Sequence, residues 1–202
     1  MQKIKNNPIL KGATFLGLGA FFSKILGAIY RVPLTNLLGG YGLGLYQMVF
    51  PVYSLLLDFS GAGVPSALSG LIASEEEREK SAYNYLISSI KLLFFIGIIG
   101  SLFMLILARP LSLLQGNGMA TLSYVSLAPA VFAVSLISCL RGYFQGQMNM
   151  VPTAISQIIE QVVKLSLGLL FVNLFLPNVE KAVAGATLAI TFSEFIALFV
   201  SE

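Results

Sequence analysis

The sequence predicts an all-α, polytopic integral membrane protein, and three observations carry that prediction. Six apolar stretches, at about residues 12–38, 43–73, 84–108, 119–146, 152–176 and 183–202, are each long enough to cross a bilayer as a helix. The loops between them are short and two carry clear helix breakers. Only 10% of residues are charged, against roughly 25% in an ordinary soluble domain, and the mean hydropathy is +0.86.

The same totals exclude several chemistries. A net charge of +3 drawn from twelve basic residues makes no nucleic-acid surface, so no nucleic-acid partner is expected. The chain has no His, which removes the commonest general base and metal ligand. Its single cysteine, Cys139, lies in an apolar run, so neither a disulfide framework nor a thiolate metal site is expected. The first apolar segment is too long for a cleaved leader and lacks a small-residue cleavage site.

Residues 1–11 form a polar segment with Lys3, Lys5 and Lys11. In the first span Gly17, Lys24, Arg31 and Thr35 share a face, with Gly27 at its edge. Lys24 lies about twelve residues from either end, ~18 Å along a helix and beyond snorkelling range, which favours a wet lumen. Arg31 is compatible with either a lumen or the outer headgroups. Leu38-Gly39-Gly40-Tyr41-Gly42 reads as a loop.

The second span puts Gln47, Pro51, Ser54, Asp58, Gly61, Pro65 and Ser69 on one face. Its Gly61-Ala62-Gly63-Val64-Pro65 break makes Gly61, Gly63 and Pro65 hinge candidates, with irregular backbone tolerated only beside protein or water. Asp58 is a partner for Lys24 or Arg31, or a ligand for a coupling cation or proton. The acidic run Glu75-Glu76-Glu77 belongs to a solvated loop.

The third span has no charge near its middle and reads as lipid-facing, with Lys91 snorkelling to headgroups. The fourth, after the Gln115-Gly116-Asn117-Gly118 turn, carries Pro129, Ser135 and Ser138, small groups suited to helix packing. A motif of Arg141, Gly142, Gln145 and Gly146, followed by Pro152, joins it to the fifth through what reads as a cytoplasmic loop.

Pro152 suits the first turn of a helix. From there Thr153, Gln157, Glu160, Gln161, Lys164 and Gly168 fall within one roughly 100° stripe, while Ile155, Ile158, Ile159, Val162, Leu165 and Leu169 are apolar. Glu160 and Lys164 have the spacing and order of an intrahelical ion pair, which competes with a role facing a substrate. In the sixth span Thr187, Thr191 and Glu194 align on one face. Charged groups at bilayer depth cost at least ~2.5–3.5 kcal/mol each and face a cavity or a partner. Four helices with such stripes imply a shared hydrated interior.

Lysine and arginine set the orientation. With the N-terminus inside, inner segments hold Lys3, Lys5, Lys11, Arg78 and Lys80, and outer loops hold Arg109 and Lys181. Both termini are therefore expected on the cytoplasmic side of the cell membrane. The sixth span runs into Val200-Ser201-Glu202 without a basic flank, so the chain is expected to be the N-terminal part of something longer.

Ser23-Lys24-Ile-Leu-Gly-Ala-Ile-Tyr30-Arg31-Val-Pro-Leu-Thr-Asn-Leu-Leu-Gly39, then Gly42-Leu-Gly-Leu-Tyr-Gln47, resembles the polysaccharide-export branch of the multidrug/oligosaccharidyl-lipid/polysaccharide exporter superfamily. Arg141-Gly-Tyr-Phe-Gln-Gly146 with Pro152-Thr-Ala-Ile-Ser-Gln-Ile-Ile-Glu-Gln161 is similar to its group of stage V sporulation and MurJ-like lipid II flippases. The resemblance covers the whole chain. It implies one six-helix lobe of a V-shaped, two-lobed transporter, with the C-terminal lobe absent from this chain. Related flippases hold a lipid-linked pyrophosphate with basic residues of the first two spans. Lys24 takes the basic position of that pattern, and Tyr30-Arg31 stands where MurJ-type proteins have Arg-Asp.

The expected function is thus a flippase moving an undecaprenyl-pyrophosphate-linked sugar or peptidoglycan precursor for wall, spore-cortex or polysaccharide synthesis. Its substrate-binding candidates are Lys24, Arg31, Gln157, Gln161 and Lys164. Asp58, Glu160 and Glu194 are candidates for a coupling Na+ or H+, with no other cofactor expected. The partners expected are the lipid-linked sugar, membrane lipids and the second lobe. A cation-coupled drug exporter of the same superfamily is the alternative, although it would call for an acidic cavity. A membrane glycosyl- or phosphotransferase would need clustered acids at the membrane surface, and a scaffold would need no polar interior.

Overall fold

A computed structural model describes residues 8–61, 63–74 and 79–201. Among them the chain forms seven α-helices and no strand: α1 (Pro8–Met48), α2 (Phe50–Gly61), α3 (Val64–Ser74), α4 (Glu79–Leu114), α5 (Thr121–Gly146), α6 (Val151–Phe175) and α7 (Val179–Val200). A short 3-10 turn, Gly118–Ala120, precedes α5. Residues 1–7, which include Lys3 and Lys5, and the loop residues Glu75, Glu76, Glu77 and Arg78 lie outside the described residues.

Five helical runs among the described residues are long and apolar enough to cross a membrane. The first, Thr14–Ser74, has 61 residues and would be ~90 Å long if straight, about three bilayer cores. It is not straight. Gly12 lies against Met148 and Met150, whereas Gly42 lies against Val179 and Tyr41 Oη accepts from Asn117 Nδ2 (2.9 Å). The chain then returns, and Ile72 meets Gly146 next to Met148. The run therefore passes from one end of the bundle to the other and back, and the described residues make six passes.

The Gly39 region departs from the expected loop. Gly39 adopts φ 66°, ψ −179°, a conformation open essentially to glycine, and bends α1 without ending it. Helix then resumes to Met48. The turn into α2 leaves the Met48 carbonyl free, and the Tyr124 hydroxyl donates to it (3.1 Å). The break after Gly61 is present, with Gly63 at a bend and α3 starting at Val64. α4 is longer than the span expected at 84–108 and runs through Pro110. α7 starts four residues before the expected 183, because Asn178 Oδ1 accepts from Lys181 N–H (3.0 Å) and caps it.

α5 and α7 are the buried pair. Ala128, Ala130, Val131, Ala133, Ala182, Ala186 and Ala189 are all fully enclosed, and small side chains let these helices approach closely. α6 packs on α7 and α1 on α6, while α3 and α4 pack on α5. α4 shows Leu92, Phe95, Ile99, Phe103 and Ile106 to the outside, as a lipid-facing helix should.

Arg141, Gly142, Gln145 and Gly146 are the last turns of α5, not a loop; residues 147–150 alone connect to α6. A Cβ on Gly142 would sit 2.7 Å from Pro65 Cα, and one on Gly146 2.8 Å from Ile72 Cβ. The motif's two glycines, four residues apart, are thus the seat on which α3 rests.

Candidate functional site

Between α1, α2 and α6 lies a cavity of about 580 Å³. Its lining joins residues distant in sequence: Arg31 with Tyr30 from α1, Gln47 and Tyr46 from the tail of α1, Ser54 from α2 and Lys164 from α6. α1 and α2 touch little, α1 packing mainly on α6 and α2 on α5, which leaves the space between them open. The two cations of the cavity reach it from two helices, α1 and α6, that pack on each other. A guanidinium and an ammonium lining one cavity suit a phosphate group.

The α6 stripe explains how Lys164 gets there. Gln161 faces Gly27 of α1, and Gly168 receives the Tyr30 ring against its Cα, so the polar side of α6 is turned toward α1. Ile155 and Val162 on the opposite side are exposed to the exterior of the bundle.

Behind the cavity is a second polar group. Arg141 of α5 pairs with Glu160 of α6 (Nη2 to Oε2, 3.0 Å), both side chains largely buried, and Gln161 Nε2 donates to Glu160 Oε1 (2.9 Å). Glu160 is therefore bonded across helices, not to Lys164 along its own. Glu194 of α7 is 8% exposed, and Glu160, Lys164 and Arg141 lie within electrostatic range of it. Tyr53 of α2 adds a buried hydroxyl in range of both acids. The Tyr53 hydroxyl, Arg141 Nε and Gln157 Oε1 are buried without a hydrogen-bond partner among the described residues. Buried polar atoms rarely stay unpaired, so this group has the character of a site for water or a ligand.

Other candidates stand apart. Lys24 is exposed two turns along α1 from Arg31, and Asp58 is exposed one turn along α2 from Ser54. Among the described residues neither has an ion-pair partner, so the expected bond of Asp58 to Lys24 or Arg31 is not made. Thr35 donates back to the Arg31 carbonyl (2.8 Å). Thr187 bonds Ser126 (2.9 Å) and Thr191 donates to the Ser126 carbonyl (2.6 Å), so both serve the α5–α7 contact and not a cavity. Among the hinge candidates, Pro65 is fixed against Gly142, while Gly63 has open space around it.

Sequence reasoning missed Tyr30, Tyr46 and Tyr53. Their signal was available: Tyr46 and Tyr53 are seven apart, as are Gln47 and Ser54, a spacing that repeats a helix face.

The family described as polysaccharide biosynthesis protein matches residues 9–202. Stage V sporulation protein B of Bacillus subtilis (strain 168) is 33% identical over 193 residues, covering 94% of this chain and 37% of that protein. The uncharacterized membrane protein YabM of the same organism is 34% identical over 170 residues, 83% of this chain and 32% of its own length. The lipid II flippase MurJ, again of B. subtilis, is 30% identical over 212 residues, 96% of this chain and 39% of its own. The chain spans less than half the length of these relatives. No solved structure matches it.

Proposed function

The chain belongs to the polysaccharide biosynthesis protein family, within the exporter superfamily it resembles, and from that premise we propose that it is one lobe of a flippase for a lipid-linked saccharide or peptidoglycan precursor. The observation that carries the reading is the single cavity lined by both Arg31 and Lys164. A diphosphate is too costly to move through hydrocarbon as a bare anion, and paired cations in a hydrated space offset that cost. Lys24, on the same face of α1 as Arg31, extends the basic track beyond the cavity. Gln47 and Gln161 supply donors and acceptors of the kind that sugar hydroxyls bind. One relative is named for flipping lipid II and another for sporulation, and these names support a wall or cortex precursor as the substrate proposed.

The membrane is the cytoplasmic one, with the N-terminus inside, supported by the lysines and arginines of the inner segments. A second lobe facing α1 and α2 would close the cavity's open side. The bend at Gly63, with open space around it, is the place where α2 moves relative to the anchored α3. No acidic group lines the cavity itself among the described residues, which tells against a cationic drug as cargo.

Reconstituted flipping of lipid II by the full protein tests the reading. Arg31→Ala and Lys164→Ala should each lower the rate at least tenfold, and Lys24→Ala should lower it less. Wild-type rates in the double variant Arg31→Ala/Lys164→Ala would remove the anion-binding role.

A further inference from the structure

Arg31 and Lys164 suit a diphosphate, but they cannot select for what it carries. A terminal diphosphate has one more ionisable oxygen than a diphosphate capped by a sugar, so cations alone favour the bare lipid. Selection of the loaded lipid has to come from groups that touch the sugar.

The rest of the cavity's lining is of that kind. Past the Gly39 bend, the tail of α1 and the start of α2 carry three rows of side chains with different surroundings. Leu45, Val49 and Tyr53 recur every four residues and are buried in the core. Tyr46 and Phe50, in the adjoining row, are only half-buried, and Ser54 beyond them is exposed. Gln47 and Pro51, in the third row, are exposed as well. The residues of these last two rows all line the cavity. The Tyr46 and Phe50 rings lie 4.9 Å apart and tilted by 58°, and Tyr53 meets Phe50 edge-on at 6.4 Å. The bond from the Tyr124 hydroxyl to the Met48 carbonyl fixes the turn that joins them. Aromatic rings that served packing alone would be covered as Tyr53 is, whereas Tyr46 and Phe50 keep surface open to the space.

We propose that Tyr46 and Phe50 form the wall on which the sugar joined to the diphosphate rests, and that this contact selects sugar-loaded over bare lipid diphosphates. The inference rests on the cavity being the substrate site, and adds to it the part that recognises the cargo. The C–H face of a pyranose is apolar and slightly positive, so it packs on the negative face of an aromatic ring. Its equatorial hydroxyls project around the rim, where Gln47 and Ser54 can each donate and accept. At about 580 Å³ the cavity has the volume of roughly twenty waters, room for a diphosphate with one sugar ring. The seam of α1 and α6 supplies the cations, and the turn from α1 into α2 supplies the rings, so mutation can separate the two contacts.

Two ligands test this on the purified protein in nanodiscs: farnesyl diphosphate, and the same lipid with one N-acetylglucosamine on its diphosphate. The ratio of their affinities reads the selection. Wild type should prefer the sugar-bearing ligand by about tenfold. Tyr46→Ala and Phe50→Ala should each cut that ratio to about threefold or less, whereas Tyr46→Phe, which keeps the ring, should retain it. Arg31→Ala should weaken both ligands and leave a preference for the sugar. Equal affinities in wild type, or a ratio that survives both ring deletions, overturn the sugar wall and leave the anion site standing. Saturable binding of neither ligand by wild type overturns the cavity assignment as well. If the ring deletions do not fold, Gln47→Ala at its exposed position decides: the ratio should fall about threefold, and an unchanged ratio overturns the proposal.

Discussion

Arg141 and Glu160 show what a buried ion pair demands of its neighbours. Each side chain is mostly removed from water, so deleting one partner strands the other charge, at a cost of about 3–5 kcal/mol. Arg141→Ala should therefore lower the thermal midpoint in detergent clearly, and Arg141→Met combined with Glu160→Leu should recover much of the loss. If the double variant is as unstable as the single, the pair is not the origin of the effect. The intrahelical partner expected from sequence, Lys164, was plausible on spacing alone. The i, i+4 rule describes an isolated helix, and here α5 brings a guanidinium to the same carboxylate in a better geometry. Residue identity announced that these charges needed partners, but which partner each took depended on how helices far apart in sequence were stacked.

At the level of helices, small residues decide which elements touch. Gly142 and Gly146 let α3 lie on α5, so Gly142→Ala should destabilise the bundle by roughly 1–3 kcal/mol through overpacking. Gly44→Ala, with nothing within 4 Å of the added carbon, is the matched control and should leave stability unchanged or slightly improved. Gly39→Ala should cost about 1–3 kcal/mol for a different reason, the strain of φ 66°, ψ −179°. Midpoints of thermal unfolding for the three variants test both claims, and equal losses at Gly44 and Gly142 would refute the packing argument. Most of this level was readable beforehand. Apolar runs, the breaks at Gly61 and Gly116, and the stripe on α6 follow from local chemistry. The continuation of α1 past Gly39 was not readable, since a glycine pair ends one helix and merely bends another according to what packs beyond it, here Leu38 and Val179 around Gly42.

For the molecule as a whole, six passes leave residues 147–150 and the turn at 115–118 at opposite ends of the bundle. In a Cys139→Ala background, cysteines replacing Asn149 and Gly116 should therefore label from opposite sides of a sealed membrane, with Gly116 outside if the basic residues set orientation as expected. Labelling of both from one side would contradict the six-pass path. The cavity was legible as a requirement, because charges in four spans need water or partners. Its walls were not: Thr187, Thr191 and Glu160 turned toward packing and pairing, whereas Arg31, Gln47, Ser54 and Lys164 turned toward the space.

α2 offers the most direct test, because it divides the cavity that holds Arg31 and Lys164 from a groove lined by apolar side chains. Ser54 lines the cavity with Pro51, while Val52, Leu55, Leu56 and Phe59 line a groove of about 490 Å³ against α4. Cysteine replacements along α2 and the tail of α1, in the membrane-embedded protein, can be exposed to a charged, water-soluble methanethiosulfonate. Positions 47, 51 and 54 should react and be protected by diphosphate, and positions 52, 55, 56 and 59 should stay inert. Uniform inertness, or reactivity without regard to face, would contradict a hydrated anion site inside the bundle.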